Sequence, residues 1–488
     1  LIALTAGHWR RLPATTAAIG GWLGLGLILA ACTLLSASTP FPGTAALLPV
    51  LGTALVIGAG CAAPPRGCGR LLALAPMRAV GRASYSWYLW HWPVLLLTPL
   101  LLGHALGLAG RVAAALFSAG LAVLTLHFIE NPFRFAAFFR RSALRSLALG
   151  GAVTAVAVCV SVALISAVPI PVGRGAPAAA LAVNPSAIPA GNNVEAYNAA
   201  VQQAFAQVQA ALAASAELRA VPSNLDPPLA DAAADFKTMA VDGCLRDMFE
   251  AGHPECTKGD TASATTVALV GDSDAAMWAP ALVQVATQRH WRLEPMTRAG
   301  CPPMSLPITN PLLRLIYKDC EQGRRQIIAR LRAAHPRLVV VSMWRGYRPG
   351  YGWTPGFTSY DPRWIDSLPP FVQQLRGTGA QVLVLGPVPD PHSVVPICLS
   401  GHLDDASACT PPRSTAVDES GMAAELTATR AGGGHYADLT ELFCTADRCP
   451  VIVGNTLVYL DWNHVTSEYS RKLVPAIGAL LDRALAES

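Results

Sequence analysis

Thr265-Thr266-Val267-Ala268-Leu269-Val270-Gly271-Asp272-Ser273-Asp274 decides how the C-terminal half of this chain folds. The β-branched apolar run reads as a buried strand, Gly-Asp-Ser as a tight turn, and the spacing of Ala275, Trp278, Leu282 and Val285 as the helix that follows. Such a turn lifts a serine hydroxyl to the carboxyl end of a sheet, where N–H groups at a helix N-terminus can hold a developing oxyanion. Taken alone, Gly-Asp-Ser is equally a common turn or helix cap. Residues 337–342 and 381–386 are further apolar runs flanked by helical patterns, as in a mainly parallel sheet covered on both faces.

A second segment, Tyr459-Leu460-Asp461-Trp462-Asn463-His464-Val465-Thr466, precedes a helical pattern through Leu473, Ile477, Leu480 and Leu481. Asp461 and His464 are three positions apart, so one turn can set the imidazole against the carboxylate and leave its other nitrogen to take a proton from Ser273. For this segment alone, a capping Asp and a His packed on Trp462 is the competing reading. Together the two segments resemble the first and last blocks of the SGNH hydrolase and transferase family, in the right order and one domain apart. The resemblance implies an α/β/α, flavodoxin-like domain over residues 241–488, with Ser273, His464 and Asp461 as a catalytic triad. Arg298-Ala299-Gly300-Cys301-Pro302-Pro303 resembles the second block, so the N–H of Gly300 would join that of Ser273 in an oxyanion hole; a turn beside a disulfide is the alternative for Gly300. Two positions depart from the family. Ser342-Met343-Trp344-Arg345-Gly346 lacks the usual third-block Asn, although domains fused to acyltransferase 3 membrane regions often show Trp there. Asp274 stands where that fused subgroup often carries His, and a carboxylate pointing inward would weaken the oxyanion site.

The N-terminal part is of a different kind. The 488 residues are 52% hydrophobic and 14% charged, and the net charge of +5 conceals a step near residue 170. Residues 1–170 hold eleven Arg, no Lys and one acid, Glu130, whereas the rest holds 25 basic and 30 acidic residues. Disorder, ordinary single-domain solubility and a nucleic-acid-binding face fit this balance poorly. Five stretches approach the ~20 residues that cross a bilayer. They are residues 16–36, 45–62, 84–103, 112–129 and 146–168. Arg10, Arg11, Arg66, Arg70, Arg78, Arg82, Arg134, Arg140, Arg141 and Arg145 lie in alternate loops, against Arg111 alone in the others, which puts the start of the chain on the cytoplasmic side and everything after residue 170 outside. The expectation is a multi-pass plasma-membrane protein: a helical bundle over residues 1–168, an Ala/Pro-rich linker and helix over 169–240, and an extracytoplasmic domain over 241–488. No secretory leader precedes the first span, and beginning at Leu1 the chain reads as a fragment.

The third span carries Gly81-Arg82-Ala83-Ser84-Tyr85-Ser86-Trp87-Tyr88-Leu89-Trp90-His91-Trp92-Pro93. Interfacial belts account for such aromatics, but an ionisable group such as His91 inside a span points to a bundle interior or a pathway. With Phe41-Pro42-Gly43 and Ile129-Glu130-Asn131-Pro132-Phe133-Arg134, this run resembles the later helices of the acyltransferase 3 membrane family. Members of that family move acyl groups from cytoplasmic acyl-CoA to cell-envelope glycans. Their proposed catalytic His and Arg lie in the first helices, ahead of where this chain begins, so His91, Glu130 and Arg134 stand as pathway or structural candidates.

Pro169, Pro171, Pro177, Pro185 and Pro189 keep the start of the linker extended and exposed, and residues 194–219 read as a helix packing on the domain that follows. The connector 221–229 looks like that of actinobacterial fused members. Eight cysteines, Cys244, Cys256, Cys301, Cys320, Cys398, Cys409, Cys444 and Cys449, fall on the external side and suggest disulfides, with pairing of sequence neighbours as the expectation among the many connectivities eight cysteines allow. No C-x-x-C occurs and nearby His lack ligand spacing, so no metal is expected. The function implied is acyl, foremost acetyl, transfer from an acyl-CoA donor such as acetyl-CoA, with no bound cofactor, to a cell-envelope polysaccharide or glycolipid at the membrane lipid surface, with no nucleic-acid partner. A carbohydrate esterase using the same triad and a glycan-binding module with a degenerate one are the alternatives.

Overall fold

The computed structural model describes residues 5–35, 44–62, 66–102, 106–167, 170–189, 191, 193–240, 243–250, 252, 255–310, 316–347, 353, 357 and 360–487. Phe41-Pro42-Gly43 lies outside the described residues. Two compact units, Leu1–Pro169 and Ile170–Ser488, make up the chain.

In the first unit, Ala14–Leu34, Thr44–Cys61, Leu108–Phe135 and Ala143–Ala167 are long and apolar enough to cross a membrane, and the chain is a multi-pass membrane protein. They cover the first, second, fourth and fifth expected spans. The third, 84–103, coincides as far as residue 102 with the 28-residue helix Ala75–Leu102, which is not among the four. Its chemistry is the reason: Arg78 and Arg82, the Tyr, Trp and His side chains, and Pro93 and Pro99 depress its hydropathy, although a rise of ~1.5 Å per residue gives it ample length. Those polar groups are spent on the next helix. Trp87 Nε1 donates to Ser118 Oγ at 2.9 Å, Trp90 Nε1 to Thr125 Oγ1 at 2.8 Å and Ser86 Oγ to Glu130 Oε2 at 2.8 Å. Interhelical hydrogen bonds of this kind tie helices where apolar burial cannot.

In the second unit a seven-stranded sheet has the order β1-β4-β3-β5-β6-β7. Its strands are β1 (Leu245–Arg246), β2 (Lys258–Gly259), β3 (Thr266–Gly271), β4 (Arg292–Arg298), β5 (Leu338–Ser342), β6 (Gln381–Leu385) and β7 (His435–Ala437). All pairings are parallel except that of β2 with β4. Alternate residues serve opposite cores: Val267, Leu269, Leu338, Val340, Leu383 and Leu385 face one, while Ala268, Val270, Val339, Val341, Val382 and Val384 face the other. Burial on both faces explains why these strands read as continuous apolar runs. The chain leaves β3 for β4 on one side and later returns to β5 on the other, so the topological switch lies at the carboxyl end of β3. Ser273 opens a helix there. A separate hairpin pairs β8 (Ile452–Val453) with β9 (Thr456–Leu457).

The linker is part of this unit. Residues 170–189 are extended and largely exposed, but Leu181 is buried, and Gly175 bridges to Pro222. Helix Val194–Ser215, capped by the Asn193 side chain, buries Tyr197, Val201, Val208 and Leu212. The cysteines pair as sequence neighbours: Cys244 with Cys256, Cys301 with Cys320, Cys398 with Cys409 and Cys444 with Cys449. Cys32, Cys61, Cys68 and Cys159 of the membrane unit are free. Disulfides confined to one unit mark an oxidising compartment, which places it outside the cytoplasm.

Gly271 sets the turn after β3. At φ +152°, a Cβ added there would overlap the Ser342 carbonyl and lie 2.7 Å from the Ala275 side chain. Gly271→Ala is expected to cost roughly 2–4 kcal/mol. A tryptophan-fluorescence melt of the purified full chain, lowered by several degrees, would register it.

Candidate active site

The Asp272 carboxylate organises the turn. It is fully buried, accepts the backbone N–H of Asp274 at 2.9 Å and of Trp344 at 2.9 Å, and takes the Tyr347 hydroxyl at 2.6 Å. Burial pushes its pKa up, against the pull of these donors. The carboxylate thus links the β3 turn to the loop after β5, where Arg345 is in turn held by Glu425 at 3.0 Å. Both partners of that ion pair are buried; burial alone would lower the guanidinium pKa, but the charge of Glu425 raises it.

The far loop is built by a single side chain. Asp461 Oδ1 accepts the N–H of Asn463 at 2.9 Å and of His464 at 2.8 Å, folding the loop back on itself, while Oδ2 receives His464 Nδ1–H at 2.7 Å. Leu460 N–H to the His464 carbonyl, 2.9 Å, closes the loop, and Thr466 caps the next helix through Tyr469 N–H. Burial would raise the Asp461 carboxyl, but the hydrogen bond and charge of His464 with the two backbone donors hold it below the usual carboxylate value. Burial works likewise against the charge on His464, yet the Asp461 hydrogen bond and charge, then Asp274 and Asp272, raise its pKa above the ordinary imidazole value. His464 Nε2, buried, has no hydrogen-bond partner among the described residues.

Asp274 joins the two segments. Its Oδ1 lies 3.8 Å from His464 Nε2 and accepts Asn463 Nδ2 at 3.1 Å. The carboxyl therefore turns toward the histidine loop, and burial followed by the charge of Asp272 drives its pKa well up. Ser273, half-buried, sits between the two aspartates in the chain. Gly300 lies two residues beyond β4, whose Thr297 is the register partner of Gly271, so it occupies the same end of the sheet as Ser273. Its φ of +58° favours glycine, and a Cβ added there would lie 2.9 Å from the Trp353 ring. Trp344, standing in the third-block position, spends its N–H on Asp272 and packs edge-on against Trp462, with centroids 5.2 Å apart.

The membrane candidates are not drawn into one cluster. Glu130 pairs with Arg134 at 3.1 Å and accepts from Ser86, at the end of the π-helical turn Leu126–Glu130. His91 Nδ1 instead faces the carbonyl of Tyr88 on its own helix at 2.6 Å. Cys398, His402 and Cys409 lie close enough for a metal, but the two sulfurs are joined in a disulfide. Sequence spacing did not disclose Tyr347, Asn463 or Phe236, whose ring meets His464 edge-on at 5.8 Å. Only the Asn463 position, inside the Asp461–His464 loop, carried a signal, since any residue there must face one side of the imidazole or the other.

A doubly wound parallel sheet with a serine at its switch point and an Asp-His pair on the last loop defines the SGNH class. Residues 243–479 match the family described as "SGNH domain (fused to AT3 domains)", and this part of the chain is such a domain. A curated relative, YrhL of Bacillus subtilis (strain 168), provisionally named a peptidoglycan O-acetyltransferase, is 36% identical over 107 residues, 21% of this chain and 17% of its own length. The periplasmic domain of a lipopolysaccharide acetyltransferase from Salmonella ser. Paratyphi A is 17% identical, with a TM-score of 0.40 over 52% of this chain and 97% of that one.

Removing the Asp272 carboxylate strands two backbone N–H groups and a buried hydroxyl. Asp272→Ala should destabilise the full chain by roughly 3–5 kcal/mol, and Tyr347→Phe by about 1 kcal/mol. Thermal melts of the two variants side by side test the order; equal melts would contradict it.

Proposed function

We propose that this chain transfers an acyl group, acetyl foremost, to hydroxyls of a cell-envelope glycan on the external face of the membrane, through an acyl-enzyme on Ser273. The observation that carries the reading is His464: its Nδ1 is locked to Asp461 at 2.7 Å, while Nε2 is buried, has no hydrogen-bond partner among the described residues and lies 3.8 Å from the carboxyl of the residue that follows Ser273. An imidazole with one nitrogen fixed and the other open is what a general base requires. The family match and the name of the Bacillus subtilis relative support O-acetyl transfer, and the membrane helices support a donor, acyl-CoA, drawn from the cytoplasmic side.

In the first half-reaction Ser273 Oγ attacks the acyl carbonyl as His464 Nε2 takes its proton, and the N–H groups of Ser273 and Gly300 hold the oxyanion. The proton passes from His464 to the departing donor group. In the second, the acceptor hydroxyl gives its proton to Nε2, its oxygen bonds the acyl carbon, and the bond to Ser273 Oγ breaks, with the proton returned to the serine. Asp461 holds the tautomer throughout and stays ionised, as its lowered pKa favours.

Ser273→Ala in the intact protein should abolish O-acylation of the envelope, measured as base-released acetate; unchanged acetate would sink the proposal. The pH profile offers a second check. Catalysis needs neutral His464, whose raised pKa sets the acid limb above the ordinary imidazole value of 6.5. Asp461→Asn removes the leading stabiliser of the imidazolium, so the acid limb should move to lower pH while the plateau rate falls by roughly 10²–10⁴. An acid limb that stays in place would assign the titration to another group.

A further inference from the structure

Beside the histidine loop lies a pocket of 280 Å³, lined among others by Asp274, Trp344, Asp390, Asp418, Trp462 and Asn463. It shares Asp274 and Asn463 with the surroundings of His464 Nε2. Its size is near the lower end of ligand sites, roughly 300–1,000 Å³, and suits one sugar ring rather than a length of chain.

Asp390, Asp418 and Asn463 supply acceptors to it, alongside the Tyr360 hydroxyl and the Arg345 guanidinium. Asn463 is 8% exposed, and its Oδ1 has no hydrogen-bond partner among the described residues. Its orientation is set chemically, because the carboxylate oxygen of Asp274 at 3.1 Å takes the amide NH₂, which turns the carbonyl oxygen away from Asp274. Asp418 accepts from neutral donors, the Gly421 N–H and Ser420 hydroxyl, at the start of its helix. Asp390 accepts the His392 N–H and lies 3.4 Å from that imidazole, whose other nitrogen is 3.0 Å from the Thr415 carbonyl. The Arg345 guanidinium at the pocket wall is committed to buried Glu425. Trp344 and Trp462 meet at 79° and form an apolar corner, with Trp462 37% exposed.

We infer that this pocket is the acceptor subsite and that it selects an uncharged sugar residue over an anionic one. Sugar hydroxyls donate to Asn463 Oδ1 and to the carboxylates of Asp390 and Asp418, and the C–H face of the ring rests in the tryptophan corner. An anionic sugar would place its carboxylate against those of Asp390 and Asp418, a like-charge contact that disfavours it relative to a neutral one. Asp274 lines the pocket and its Oδ1 lies 3.8 Å from His464 Nε2, so a hydroxyl held here is on the side of the proposed base, to which it loses its proton as its oxygen takes the acyl carbon from Ser273. The inference rests on the acyl-enzyme reading and deepens it by naming the acceptor class.

The test uses the full chain in detergent with p-nitrophenyl acetate as acyl donor. The acceptors are the methyl glycosides of glucose, galactose and mannose and of the corresponding uronic acids. Acetylated glycoside is counted by mass spectrometry, and Ser273 is titrated in parallel with a serine-directed phosphonate. Transfer to the neutral set should exceed transfer to the uronosides by about tenfold or more. Trp462→Ala should raise the half-saturating concentration of neutral glycoside about tenfold. Asp390→Asn with Asp418→Asn keeps the hydrogen bonds of both turns and should cut the preference to about threefold or less. Equal use of both sets, a preference that survives the double substitution, or labelled Ser273 with no glycoside acetylated overturns the subsite while leaving the acyl-enzyme intact. Failure of the phosphonate to label Ser273 overturns the acyl-enzyme reading itself.

Discussion

The buried carboxylate of Asp272 is the constraint on which the carboxyl end of the sheet depends. A charge in that position is tolerable only with its oxygens filled, and the donors come from two strands' ends: Asp274 after β3, and Trp344 and Tyr347 after β5. Satisfying one group therefore fixes the path of two loops. Asp274 is then left on the side of the histidine loop, where Asn463 and His464 receive it. The site is a chain of carboxylates, each placed by the one before it.

That ordering also separates the roles of three acids within a few residues of Ser273 and His464. Asp461 has two backbone donors and an imidazole, and its pKa falls. Asp272 has donors enough to hold a charge but lies deeper, and its pKa rises. Asp274 is buried beside Asp272, and that burial and neighbouring charge push its pKa well up. The same side chain, in three environments, serves as orienter, anchor and link.

Much of this was legible in the sequence. The strands could be read because burial on both faces turns Val267 to Val270, Leu338 to Val341 and Val382 to Leu385 into unbroken apolar runs. Asp461 and His464 could be read because their contact is local, a matter of one turn. What spacing could not supply were contacts across the fold. The direction of Asp274 depends on Asn463, 189 residues away. The substitution of Trp344 for Asn becomes intelligible only with Asp272 bonded to its backbone and Trp462 against its ring. The helix Ala75–Leu102 shows the converse: Trp87 and Trp90, which read as interfacial aromatics, and Ser86 hold the adjoining helix, and their polarity is what lowers its hydropathy.

Phe236 lends the histidine ring an aromatic edge, and its neighbour Asp235 accepts the N–H of Ser467 at 2.6 Å, yet both precede residue 243, where the family match begins. The stretch that evolution reuses as a recognisable domain is thus shorter than the stretch that physically completes the site. A domain boundary drawn at the edge of sequence similarity would cut through the surroundings of His464, and the segment that reads as a spacer is partly furniture of the candidate site.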